Sequence, residues 1–387
     1  MKLDRKAVLE AVNNSEDSVR TIRLPVEGEL DSLDFQLDAD IIKFLGEKEI
    51  TLEVETGIGS YILPASKIIP ENMKKQLENT NLKEVMVSIK IAKAEEKYAN
   101  TLKKNQANKK FQIVTQPVEF SIVCSIGGKD LEVKSFDSIV KKLLPVSENV
   151  DGRKVTTAVV IEPNGAIRHV PTKVVIREGK YFAEVSSLTN SVYSLVYNSR
   201  SYADTKKHWA EEAINDLASR MVVNGVAKNL FNPNRDITRA EFAAIIVTAL
   251  GLKPGAGTDS FSDVKAADWY AGYIETATEY KLISGYGNGR FGPKDKITRE
   301  QAMSIIGKAM SITGLKMELT SQESNELLAG FSDGSKAADY SKNSIAACVN
   351  SGIVSGRKGN FIAPKENITR AEVVIMVRNL LKESGLI

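Results

Sequence analysis

Apolar residues alternate with polar ones along the first half of the chain and recur at helical spacing along the second, with the change near residue 200. In the first half an opening helix is predicted from about Asp4 to Val12. Strands follow at Thr21–Val26, Leu33–Leu37, Ile50–Thr56 and Ser60–Leu63, the last two flanking Gly57-Ile58-Gly59 as a hairpin. Val85–Ala92 alternates cleanly, with Val85, Val87, Ile89 and Ile91 on one face. The polar stretch Glu95–Asn108 predicts a helix, Phe111–Thr115 and Val118–Cys124 resume the strands, and Gly127-Gly128 marks a turn. Five short runs come next: Val155–Ile161, Ile167–Val170, Lys173–Arg177, Tyr181–Val185 and Tyr193–Tyr197. Turn residues separate them, which predicts an antiparallel meander as in a β-sandwich.

After residue 200 one unit is written three times. The first copy runs through Tyr202-Ala203-Asp204, Trp209, Ile214, Gly225, Phe231, Pro233 and Arg239. The second runs through Phe261-Ser262-Asp263, Trp269, Ile274, Gly285, Phe291, Pro293 and Arg299, and the third through Phe331-Ser332-Asp333, Tyr340, Ile345, Gly356, Phe361, Pro364 and Arg370. Each copy predicts a helix, a loop and a second helix. In copy one the first helix spans about Trp209 to Val222, burying Trp209, Ile214, Leu217 and Met221, and Gly225 ends it in a left-handed conformation. The second helix opens on Ile-Thr-Arg-Ala-Glu (237–241), Ile-Thr-Arg-Glu-Gln (297–301) or Ile-Thr-Arg-Ala-Glu (368–372), a Thr followed three residues later by Glu or Gln, which is a capping box. A helix pair cannot bury both apolar faces alone, so the copies should pack together. The reading is multidomain: a β-rich module with helical insertions over 1–150, a β-meander completing it over 151–201, and helical copies over 202–255, 258–316 and 328–387.

Composition excludes several classes. The net charge of +3, without a Lys/Arg-rich run carrying aromatics, argues against nucleic acid as a partner. No apolar run approaches the ~20 residues of a membrane span. The start, Met1-Lys2-Leu3-Asp4-Arg5-Lys6, lacks the apolar core and cleavage site of a signal peptide, so either the protein stays inside the cell or this is a mature or fragmentary form of something exported. Cys124 and Cys348 read as two buried thiols, not a disulfide framework. His169 has no second His or Cys at metal-ligand spacing, so no metal is expected. No nucleophile elbow, phosphate loop or Cys–His pair is present, and the carboxylates Asp38, Asp40, Glu53 and Glu55 read as solvated strand and turn residues, so neither catalysis nor a cofactor is expected.

The capping boxes leave one residue unexplained. Arg239, Arg299 and Arg370 fall at the first helical position, where the helix dipole disfavours a cation by roughly 0.3–1 kcal/mol. A local rule broken three times at one place points outside helix formation, and Arg beside a helix start suits a carboxylate or phosphate.

These motifs, in this order and in triplicate, resemble S-layer homology domains over about Tyr202 to Leu386, and residues 150–200 resemble the β-rich stretch that often precedes them in clostridial and bacillus-type surface proteins. The resemblance implies a pseudo-threefold bundle. Its grooves between copies would bind the secondary cell-wall polysaccharide linked to peptidoglycan, commonly pyruvylated, and so hold the protein in the extracellular bacterial cell wall or S-layer. It also allows self-association in a surface lattice. It carries a ligand role to Arg239, Arg299 and Arg370, to the loop glycines Gly225, Gly285, Gly287 and Gly356, and to the aromatics Trp209 and Trp269. Asp204, Asp263 and Asp333 are motif positions expected to fix the turn into the first helix. For the arginines the rival role is an ion pair to a neighbouring copy, and for the tryptophans it is core packing.

The copies differ. Copy two reads Arg299-Glu300-Gln301 but keeps the glycine-rich loop Gly285–Gly289 and Trp269, which makes Arg299 the expected leading contact. Copy one loses two loop glycines, and copy three has Tyr340 for Trp and a shortened Gly356–Gly359 loop. Rival readings are an enzyme that degrades polysaccharide while anchored by the same repeats, and an adhesin with a sugar-binding N-terminal module.

Overall fold

In a computed structural model the described residues are 12, 21–28, 30–77, 80–315 and 318–387; the helix expected at Asp4–Val12 lies, but for Val12, outside them. The chain divides into two compact units, Met1–Tyr197 and Asn198–Ile387.

The first unit is built on β1 (Thr21–Pro25), β2 (Ser32–Asp38), β3 (Thr51–Thr56), β4 (Gly59–Pro64), β5 (Met86–Lys93), β6 (Gln112–Ile113), β7 (Val118–Ile126), β8 (Lys129–Glu132), β9 (Ser135–Pro145), β10 (Thr157–Ile161), β11 (Ile167–Val170), β12 (Thr172–Arg177), β13 (Lys180–Thr189) and β14 (Ser191–Tyr197). One sheet has the order β1-β3-β4-β9-β13-β12. The other has β11-β10-β14-β7-β5-β2, with β6 on β14 and β8 on β7. The pairs are antiparallel except β1 with β3. The alternation dictates the core: Phe35, Ile89 and Tyr193 from one sheet meet Val54, Tyr61, Leu144 and Val185 from the other, all solvent-inaccessible. The hairpin over 50–64 and the helix Glu96–Lys109 form where the sequence places them.

The predicted meander over 155–197 is instead split between the sheets. β10, β11 and β14 lie in one and β12 and β13 in the other. Pro171, between β11 and β12, has no N–H with which to continue a ladder, and the neighbouring Thr172 hydroxyl accepts from the Ala158 N–H at 2.8 Å, fixing the crossing. No element is predicted at β9, whose apolar pattern Lys141-Lys142 interrupts. Lys142 is nevertheless fully buried, donating to the Thr189 carbonyl at 2.9 Å. Glu53 is not solvated either: it is buried and ion-paired with Arg177 and, at 3.4 Å, with Arg23. His169 is a buried strand residue with its Nδ1 2.7 Å from the Thr157 hydroxyl.

The second unit is helical. First helices run over Glu211–Ser219, Ala271–Glu279 and Asp339–Asn350, second helices over Arg239–Ala249, Arg299–Thr313 and Arg370–Glu383, with Ser321–Ala329 added between copies two and three. Each second helix packs on the first helix of the next copy, and the third closes onto the first. At the centre the three Ile-Thr segments join in a cycle. The Ile237 N–H donates to the Ile368 carbonyl, Ile368 to Ile297, and Ile297 to Ile237, at 3.1, 3.2 and 3.1 Å. All three isoleucines are solvent-inaccessible. None of the described helices is long and apolar enough to cross a membrane.

Two local expectations are corrected. The first helix of copy one starts at Glu211, so Trp209 precedes it and stands 64% exposed, with Ala210, Ala213, Ile214 and Leu217 facing the core instead. Core packing is likewise excluded for Trp269, 62% exposed. Gly225 does not end that helix. Met221 does, at φ +64°, and the Val222 N–H reaches back to the Leu217 carbonyl at 2.8 Å, the bond that closes a Schellman motif.

Candidate functional site

All three second helices begin with the predicted capping box: Thr238, Thr298 and Thr369 each accept from the third helical N–H, and Glu241, Gln301 and Glu372 reach back to the Thr N–H. The arginine that follows the Thr turns away from its own copy. Arg239 Nε donates to the Phe291 carbonyl at 2.9 Å and Nη2 to Ser284 at 3.0 Å, both in the loop of copy two. Arg370 does the same to the Phe231 and Asn224 carbonyls of copy one, at 3.0 and 2.8 Å. Arg299 Nε donates to the Ile362 carbonyl of copy three at 2.9 Å. The helix starts are occupied too. The N–H groups of Arg239 and Ala240 donate to Asp295 and Pro293, those of Arg299 and Glu300 to Glu366 and Pro364, and those of Arg370 and Ala371 to Arg235 and Pro233. These N-termini therefore spend their first donors on a neighbouring loop.

The loop that receives each arginine is held by the motif's Asp. Asp204 accepts from the Phe231 and Asn232 N–H groups at 2.9 and 2.7 Å, Asp263 from Phe291 and Gly292 at 2.8 and 2.9 Å, and Asp333 from Ile362 and Ala363 at 2.8 and 3.0 Å. Each Asp thus ties the lead-in of its copy to a loop some thirty residues on. Burial pushes the Asp204 and Asp263 carboxyls up, but the backbone N–H groups outweigh it and hold both below the ordinary aspartate value. These contacts also reset the register of copy three. Ile362, solvent-inaccessible, takes the place of Phe231 and Phe291, while Phe361 is 43% exposed. Counted to Ile362, the loop of copy three is not shortened.

The loop glycines have a steric reason. A Cβ on Gly225 would stand 2.7 Å from the Tyr202 ring, on Gly285 2.6 Å from the Phe261 ring, and on Gly356 2.9 Å from the Phe331 ring. Gly287 is different: it has open space around it and φ +84°.

Three copies contribute to one cavity of about 570 Å³. Copy one supplies Arg239, 7% exposed, with its guanidinium carbon 4.6 Å from the Tyr286 ring centroid and 4.7 Å from that of Phe291. Copy two supplies Ser284, Gly285 and Tyr286 from its loop and Gln301, Ser304 and Lys308 from its second helix, and copy three supplies Tyr340 and Ser344. Burial pulls the Arg239 guanidinium below its ordinary value, and burial with the nearby Glu300 pushes the Tyr340 hydroxyl up to about 12. Glu300, the copy-two departure, is buried. It is paired with Lys365 at 2.7 Å and accepts from the Ala338 N–H at 3.0 Å, joining copy two to copy three.

The residues expected to act together in copy two are thereby separated. Gly285 lines this cavity beside Arg239, while Arg299 reaches the loop of copy three. Trp269 stands at the start of the helix that packs on copy one, against Tyr270 and Tyr273. Tyr286 and Lys308 were missed. Lys308 lies two helical turns after Gln301 on the same face, a spacing the sequence displays once the groove wall is known.

Residues 201–243, 260–303 and 330–374 match the S-layer homology domain. Among relatives, an amylopullulanase of Thermoanaerobacterium thermosulfurigenes is 35% identical over 247 residues, 64% of this chain and 13% of that protein. An exoglucanase of Acetivibrio thermocellus is 37% identical over 199 residues, 51% of this chain and 18% of that one. The surface-layer 125 kDa protein of Lysinibacillus sphaericus is 30% identical over 171 residues, 43% and 14%. The chain spans less than a fifth of these relatives' own length. The first match is longer than the whole second unit and so runs into the first. Three tandem matches, one on each helical copy, place the second unit of this chain in the S-layer homology family.

Proposed function

We propose that the chain fastens a surface protein to the bacterial cell wall by non-covalent binding of the secondary wall polysaccharide in the grooves between its helical copies. S-layer homology domains anchor surface proteins to the wall, and that part of the chain is non-catalytic. The observation that supports polymer binding is the cavity at Arg239. A buried guanidinium lies at its floor, aromatic faces at Tyr286 and Tyr340 suit sugar rings, and hydroxyl and amide groups at Ser284, Gln301, Ser304 and Ser344 suit sugar hydroxyls. Arg239, Arg299 and Arg370, with Gly225, Gly285, Gly287, Gly356, Trp209, Trp269, Asp204, Asp263 and Asp333, are the residues we assign to the three grooves, the aspartates acting by holding the loops. A pyruvate ketal on the polymer would offer a carboxylate to the arginine.

The test is co-sedimentation with purified walls of an S-layer-bearing bacterium, before and after the polymer is stripped. Binding that disappears on stripping is expected; equal binding to bare peptidoglycan would refute the reading. A second reading, favoured by the amylopullulanase and exoglucanase relatives, makes this chain the anchoring part of a wall-attached polysaccharide-degrading enzyme. Both readings share the anchor and differ in its cargo.

A further inference from the structure

We infer that the strand-rich unit is two halves meeting at one junction, and that a proton taken up by Lys142 opens it. The strand orders show the halves. β1, β3 and β4 lie side by side in one sheet and β7, β5 and β2 in the other, while β9, β13 and β12 complete the first sheet and β11, β10 and β14 the second. The chain up to Glu132 thus builds one side of both sheets, and the chain from Ser135 builds the other. Two ladders join the halves, and each is the shortest on the path through its sheet. β4 meets β9 at Ser60–Leu143, Tyr61–Lys142 and Ile62–Lys141. β14 meets β7 at Ser191–Phe120, Val192–Glu119 and Tyr193–Val118, with two further pairs from β6. Within the halves β3 and β4 share six pairs, β9 and β13 seven, and β5 and β7 eight. The four junction strands each send one large side chain into a single cluster: Tyr61 from β4, Phe120 from β7, Lys142 from β9 and Tyr193 from β14, all solvent-inaccessible. The Phe120 ring centroid lies 5.3 Å from that of Tyr61 and 6.0 Å from that of Tyr193. The Tyr61 hydroxyl donates across the junction to Asn190 Oδ1, and Asn190 Nδ2 donates to the Val133 carbonyl at 2.6 Å.

This cluster accommodates an amine and not an ammonium. Lys142 Nζ has the Thr189 carbonyl at 2.9 Å and the Tyr61, Tyr193 and Phe136 rings around it. Burial pushes the Tyr61 hydroxyl well above its ordinary value and the Tyr193 hydroxyl up, so neither supplies an anion. Glu162 is paired with Arg168 at 2.8 Å, and Arg168, of the ammonium's own sign, is the charge that acts on Lys142. A proton arriving there leaves a cation without a counter-ion among four strands, and that ion regains water when the two short ladders open. Between the ordinary lysine value of about 10.4 and the lower native one, the open junction holds the proton and the closed one does not. Each unit fall in pH across that window therefore multiplies the open population by about ten, and the effect is complete below the native value. Opening frees one edge of each of β4, β9, β7 and β14, while the longer ladders inside the halves stay paired.

Amide hydrogen exchange on the whole chain between about pH 7 and 9 reads the opening strand by strand, with Lys142→Met as the control at each pH. In the parent, the opening constant of amides in the β4–β9 and β7–β14 ladders is expected to rise about tenfold per unit fall in pH, and to exceed that of the β2–β5 and β12–β13 ladders throughout. In Lys142→Met the same amides should show no such rise. Tyr61→Phe keeps the ring and loses the bond to Asn190, so it should raise the opening of these amides roughly three- to tenfold at every pH and leave the slope in place. The inference is overturned if the junction amides exchange together with β2–β5 and β12–β13, if Lys142→Met keeps the slope, if the parent has none, or if Tyr61→Phe matches the parent. Nitrogen NMR of the Lys142 amine in the parent gives an answer even where Lys142→Met does not fold: titration well below the ordinary lysine value is expected, and titration at that value overturns the inference.

Discussion

Arg239, Arg299 and Arg370 sit where a helix least favours a cation, and each leaves its helix's field by turning its guanidinium into the next copy's loop. The sequence displays the anomaly but not its resolution, because the accepting carbonyls lie 45 to 146 residues away. Lys142 was illegible for a related reason: a lysine in a strand reads as outward-facing. Here it is enclosed by Tyr61, Tyr193 and Phe136, with ring centroids 5.1, 5.1 and 5.7 Å from Nζ. The rings favour the ammonium. Complete burial with a single hydrogen bond favours the amine and wins, and with Arg168 nearby it brings the lysine well below its ordinary value. The unfolded chain takes up this proton near pH ~10.4, the native state only at the lower, depressed value, so stability rises with pH between the two and is lost as pH falls through the folded value. Lys142→Met should abolish that slope and cost little stability or add some. Urea melts of parent and variant from pH 7 to 10 check this; parallel pH dependence would refute it.

Elements that depend on local chemistry were the most legible. Capping boxes need only a Thr and a Glu or Gln three apart, and strands such as β5 need only alternation, so both form where the sequence places them. Helix ends were less so. Met221, Lys281 and Gly352 hold the same left-handed position at φ +64°, +57° and +73°, yet only copy three uses glycine there. The register of copy three was hidden by an exchange of apolar residues, Ile362 for Phe, with an exposed Phe361 beside it as a decoy. Lys281 is exposed, so its side chain gives up little packing. Lys281→Gly should therefore stabilise the second unit by up to roughly 1 kcal/mol, the left-handed strain it removes exceeding the entropy glycine adds to the unfolded chain. A lower denaturation midpoint in the variant would contradict the assignment of strain.

At the scale of the whole molecule, the division into a strand-rich and a helical unit follows from the change of apolar period. The split of β10–β14 between two sheets does not, since alternation fixes which face a residue takes and not which sheet its strand joins. Residues 198–387 hold all three copies and the cycle that joins them, so that fragment should fold alone and be mainly helical. A β-dominated or unfolded circular dichroism spectrum would defeat this. The cycle also has a mechanical side. A pull applied through the first unit would enter this one at Asn198, just ahead of copy one, and copy one is gripped by Arg370 and Ile368 of the last copy as well as by the second. Tension therefore cannot unzip the copies one after another from the pulled end, because the last-made joint is also among the first to be stressed. The anchor is loaded as a closed link, and it yields only when two seams are parted together.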